Sequence, residues 1–118
     1  MRLGSQGIAR ITVDDSTWKL RDAIIIRASD DYRSVYKKVV IKREELKKVM
    51  KEDNFLELAA WHRKHGKDYK SCVIDERRER KFFFSEYYGM LTDIDGSYLV
   101  KHLRKDVEEK YEKAQEEN

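Results

Sequence analysis

Alternating apolar and polar residues in the first third of the chain, short polar turns between those segments, and helical periodicity in much of the remaining sequence predict a small single α+β domain. The expected architecture is an antiparallel β-meander with a further hairpin, covered by helices and ending in a long C-terminal helix. Of the 118 residues 42% are Asp, Glu, Lys or Arg, a charge content that disordered chains share, yet 40% are hydrophobic and fall in periodic segments, enough to bury a core. No proline occurs where average usage gives about six. That bias excludes Pro-rich ligand motifs and rigid linkers. Residues 1–118 are therefore expected to form one domain, with flexible ends at 1–6 and 112–118.

Each element has its own local signal. Ile8 to Val13 and Trp18 to Ala28 read as strands joined across Asp14-Asp15-Ser16-Thr17, and Ser29-Asp30-Asp31 precedes a third strand, Val35 to Lys42. Glu44 to Lys51 places Leu46, Val49 and Met50 on one side of a helix. Asp53 or Asn54 then caps a second helix, Phe55 to His65, which Gly66 is expected to stop. Cys72-Val73-Ile74 and Lys81 to Tyr88 read as a hairpin across Asp75-Glu76-Arg77-Arg78, with Phe82-Phe83-Phe84 as the opening of a helix the alternative. A last helix, capped by Asp95 or Ser97, runs from Tyr98 toward Gln115 with Val100, Leu103, Val107, Tyr111 and Ala114 in a stripe. That stripe packs on the parent domain or, alternatively, joins two copies, so the expected state is a monomer or a homodimer through the C-terminal helix.

The single cysteine, Cys72, excludes an intramolecular disulfide, and the N-terminal residues lack the apolar stretch of a signal peptide. The longest apolar runs, such as Ala23 to Ile26, fall far short of the ~20 residues that span a bilayer. A cytoplasmic protein without membrane contact is expected, and no cofactor is implied.

Three patterns resemble chemical sites. His62-x-x-His65 puts two imidazoles on one side of a helix, and Cys72 and His102 would complete four zinc ligands, but the spacing matches no compact zinc module. His62 shares the apolar face and His65 suits the end of a helix, so a structural role is the stronger reading. Asp93 to Ser97 is similar to half of an EF-hand loop. With Gly96 at the sixth position, however, Leu91 and His102 stand where the key carboxylates belong, which leaves a turn and a cap. Asp68 followed by Glu79-Arg80-Lys81 resembles the restriction-endonuclease-like nucleases, in which two carboxylates hold Mg²⁺ and a lysine aids attack by water. That resemblance covers 14 residues and implies a catalytic set of Asp68, Glu79 and Lys81, provided that Glu79 and Lys81 share a strand face.

Charge distribution points elsewhere. The formal net charge is only +3, but residues 33–51 hold eight basic residues against two acidic, and residues 61–81 hold eight against four. Arg43, Lys47 and Lys51 recur every four residues away from Leu46 and Val49, and Lys38, Lys42, Arg77 and Arg78 extend the basic surface. Tyr36, with Tyr32 or Tyr69, would stack on unpaired bases beside it. The expected function is a non-enzymatic binding protein for nucleic acid or a nucleoprotein complex. In general character, without a shared motif, the compact build resembles small phage and mobile-element proteins that inhibit a host machine, host defence nucleases among them. The alternatives are a protein-only adaptor using the C-terminal helix and the Phe82 to Tyr88 aromatics, and the Mg²⁺ nuclease.

Overall fold

The structure is a computed structural model that describes residues 15–117. All regular structure among the described residues is helical: α1 (Asp15–Lys51), α2 (Phe55–Phe83), α3 (Glu86–Leu91) and α4 (Gly96–Glu116). The α+β expectation is overturned. Trp18 to Ala28 and Val35 to Lys42, read as strands, are successive parts of α1, and the proposed turn Ser29-Asp30-Asp31 lies within it. Cys72 to Ile74 and the turn Asp75 to Arg78 belong to α2, which passes straight through Gly66. Lys81 to Tyr88 forms the end of α2, a tight turn and the start of α3. The remaining strand expectation, Ile8 to Val13, falls outside the described residues.

The physical reason is periodicity over a longer window. Ser29, Tyr32, Tyr36, Val39 and Val40 are all buried and follow the three- and four-residue steps of a helix, whereas a strand would bury alternate residues. Tertiary burial of that stripe overrides the modest strand preference of the Ile and Val runs.

Pairwise contacts give the topology. Tyr32 meets Glu76 and Lys42 meets His65, so α2 runs antiparallel to α1. Tyr32 also meets Arg104 and Tyr36 meets Glu108, so α4 returns parallel to α1. The result is an elongated three-helix bundle, 71 × 30 × 19 Å, whose α1–α2 end projects past α4 as a two-helix tip. At that tip Asp53 takes a positive φ of 52°, which reverses the chain, and the Asn54 side chain accepts from the backbone N–H groups of Leu56 and Glu57 to cap α2. At the other end Ser85 caps α3, and Asp95 accepts from Ser97 to cap α4, the helix expected from Tyr98 onward.

The core is aromatic and aliphatic: Tyr32, Tyr36, Val39 and Val40 of α1 against Phe83, Tyr88, Val100, Leu103 and Val107. Tyr32 stacks on Tyr36 and meets Phe83 edge-on, each with ring centroids 5.9 Å apart. Gly96, the first residue of α4, presses on the end of α2 so closely that a Cβ there would lie 1.8 Å from the Phe83 carbonyl oxygen. Only glycine permits that approach.

Candidate nucleic-acid interface

Arg63, Lys67, Lys70, Ile74, Arg77 and Lys81 recur along α2 at intervals of three, four and seven residues, and all six are exposed. At 3.6 residues per turn they fall within about 40° of one line along the helix. Trp61, Glu76 and Phe83, the buried residues of α2, lie on its opposite side. The ridge therefore faces directly away from the core. Every carboxylate of α2, from Glu57 to Glu79, sits about 100° or more around the helix from it. Among the described residues no ion pair engages Arg63, Lys67, Lys70, Arg77 or Lys81, while Arg78, at the margin, pairs with Asp75 at 2.9 Å.

Other faces differ. On α1, Arg33 bridges Asp30 and Asp106, at 2.9 and 3.2 Å, and on α4 Lys110 meets Asp106 at 3.4 Å. A groove of 660 Å³ between α1 and α4 is lined by Arg33, Lys37, Lys48 and Lys110 but also by Glu45 and Asp106. Both signs alternate there, as on an ordinary solvated surface.

The α1 residues singled out in the sequence divide. Arg43 contacts Glu44 and Glu108, both at 3.4 Å, and Lys47 contacts Glu44 at 3.2 Å. Hydrogen bonding from Lys47, ahead of the opposing effect of burial and with help from Arg43, holds the Glu44 carboxyl below its ordinary pKa. Lys42 lies 2.9 Å from His65 Nδ1 and 3.9 Å from Glu45. Lys38 and Lys51 are exposed and have no ion pair among the described residues. Tyr36 is buried and donates to Glu108 at 2.6 Å, and Tyr32 is fully buried, so neither presents a ring to a base. Tyr69 is half-buried edge-on against Trp61. Arg77 stands in the ridge and Arg78 beside it.

Sequence reasoning counted Arg63, Lys67, Lys70 and Lys81 within the basic stretch 61–81 but did not single them out as one surface. Their spacing carried the signal, but reading Gly66 as a helix stop and Cys72 onward as strands cut the repeat in half.

The nuclease-like set is not assembled. Asp68 and Glu79 are eleven residues apart on one helix, about 16 Å along its axis, and Glu79 and Lys81, two residues apart, diverge by about 160°. The four candidate zinc ligands are likewise spread out. His62 and Cys72 are separated by about 15 Å along α2, His65 faces Lys42, and His102 on α4 packs on Tyr98 with ring centroids 4.4 Å apart. Among the described residues no group of three or more His, Cys, Asp or Glu is placed to hold a metal ion. No helix among them is long and apolar enough to cross a membrane.

Behind the ridge, α2 is held by a polar knot also unforeseen from sequence. The buried Glu76 Oε2 accepts from Tyr32 Oη at 2.7 Å and Arg104 Nη2 at 2.9 Å and forms an ion pair with Arg80 Nε at 3.1 Å, while Arg104 Nε donates to Tyr32 Oη at 2.8 Å. One carboxylate thus ties α1, α2 and α4. Burial works against the Arg104 charge, but its hydrogen bonds to Tyr32 and Glu76 outweigh that and raise its pKa further. No protein-family model matches the sequence, and no solved structure matches the fold.

Proposed function

We propose that the protein is a non-enzymatic nucleic-acid-binding module whose contact surface is the α2 ridge of Arg63, Lys67, Lys70, Arg77 and Lys81. The observation that carries this reading is a one-sign row of unpaired cations facing away from the core, on a molecule whose other helices intersperse both signs. Like charges four residues apart on a helix, here Arg63 with Lys67 and Arg77 with Lys81, each cost about 0.2–0.5 kcal/mol in the free protein. A polyanion turns that cost into attraction, because each phosphate neutralised releases condensed counterions.

Fluorescence anisotropy with labelled mixed-sequence nucleic acids tests the proposal. The triple variant Lys67→Glu, Lys70→Glu, Lys81→Glu is expected to lose at least about 100-fold in affinity at low salt while its melting curve stays near wild type. A matched reversal of Lys38, Lys101 and Lys105 on the other helices serves as control. Equal losses from both sets, or no wild-type binding, would sink the assignment.

A protein-only contact is favoured by a different observation. Phe84, Tyr87, Met90, Ile94 and Tyr98 are all at least half exposed around α3, at one end of the bundle. Co-purification of a protein partner that Tyr87→Ser with Met90→Ser abolishes and the ridge variant does not would place the main interface there.

A further inference from the structure

Building on the nucleic-acid reading, we infer that the ridge is made for double-stranded DNA, with α2 laid over the major groove so that its two groups of cations meet the phosphates of opposite strands. The first group, Arg63, Lys67 and Lys70, covers about 10 Å of helix axis, and the second, Arg77 and Lys81, about 6 Å. Between them lies a gap of six residues, seven helical steps or again about 10 Å, with Ile74 near its centre and 49% exposed. B-DNA has a major groove about 12 Å wide, which admits an α-helix, and a minor groove about 6 Å wide. The gap fits the former and exceeds the latter. An A-form RNA duplex closes its major groove to a helix and offers only a wide, shallow minor groove in its place.

Single strands are disfavoured on separate grounds. They are bound by aromatic platforms on which bases stack. Between Arg63 and Lys81 the aromatic rings are His65 and Tyr69, both packed against Trp61 and away from the ridge. The ridge itself offers charge and one aliphatic side chain. It also lacks the side chains that read adenine edges, since α2 contains neither Asn nor Gln. The contact is therefore to the phosphates of a rigid duplex, held by a helix that the Glu76 knot keeps in register.

Binding of the full chain to a mixed-sequence DNA duplex of about two turns, to the same sequence as duplex RNA and to its single DNA strand is measured between about 50 and 200 mM salt. Duplex DNA is expected to bind tightest, by at least about tenfold, with log K falling against log salt at a slope near −4.5, the value for about five neutralised phosphates. The pairs Lys67→Glu, Lys70→Glu and Arg77→Glu, Lys81→Glu are each expected to flatten that slope by about 2. Netropsin, which fills the minor groove, is expected not to displace the protein. Equal or tighter binding of RNA duplex or single strand, netropsin displacement, or a loss confined to one pair overturns the duplex-DNA geometry while leaving nucleic-acid binding in place. Absence of binding to all three probes at the lowest salt overturns both.

Discussion

Replacing Glu76 by alanine removes the acceptor of two hydrogen bonds and the partner of a third group at once. Tyr32 Oη is left fully buried with no acceptor for its proton, and Arg104 and Arg80 lose their shared carboxylate. Breaking a buried ion pair costs about 3–5 kcal/mol. The lower end applies here, because the Arg104 and Arg80 side chains are each about one-third exposed and regain water. About 3 kcal/mol is a large share of the 5–15 kcal/mol that holds a domain of this kind together, and corresponds to a fall in Tm of about 10–20 °C. Circular dichroism melts of the wild type, Glu76→Ala, Arg104→Ala and the double variant supply both the cost and its origin. The double variant should lose clearly less than the sum of the single losses, since either change alone strands the other group. A Glu76→Ala loss below about 1 kcal/mol, or strictly additive behaviour, would refute the claim that this carboxylate joins the three helices.

Gly96→Ala should be among the most damaging small substitutions, at about 2–4 kcal/mol, because the new methyl group meets the Phe83 backbone carbonyl and α4 must move off the end of α2; urea unfolding gives the value, and a near-neutral result would contradict the packing. Asn54→Ala removes the α2 cap at the tip and should cost about 1 kcal/mol in the same assay. Alkaline pH should destabilise the fold. Burial raises the hydroxyls of Tyr32, Tyr36 and Tyr88 above their ordinary value of 10, with Glu76 and Glu108 adding to it for the first two. The folded state therefore keeps protons that unfolded tyrosines release, so this contribution is complete below pH 10 and declines as pH rises beyond it. Urea midpoints measured across that range should show the decline, and Tyr32→Phe should make it shallower.

The second half of the molecule was partly legible in the sequence. Asn54 as a cap, the start of α2, Asp95 and the Val100, Leu103, Val107 stripe all stand out because caps and four-residue spacings are local signals. α1 was misread for a physical reason. Ile24 to Ile26 and Val39 to Ile41 are β-branched and short windows of them alternate with polar neighbours, so a strand and one side of a helix look alike over six residues. The longer pattern decides: no glycine or proline interrupts residues 8–65, and a helix tolerates that length where a meander needs turns. Glu76 was assigned to a turn, and two of its three partners lie 44 and 28 residues away, a distance at which no sequence spacing announces a contact. The α2 ridge was visible only as a local excess of basic residues until the helix put its acids on other sides.

The two-helix tip gives the molecule a direction. Glu52, Asp53 and Glu57 gather at the reversal between α1 and α2, where the Glu52 side chain raises the Glu57 carboxyl above its ordinary pKa. The basic ridge begins at Arg63, less than two turns further along the same helix. At the tip Lys48 and Lys51 stand beside Glu52, Asp53 and Glu57, so both signs meet there, whereas the ridge that follows carries cations alone. Met50, Phe55 and Leu56 are all exposed at that tip, so the end of the bundle beyond the ridge presents an apolar surface as well.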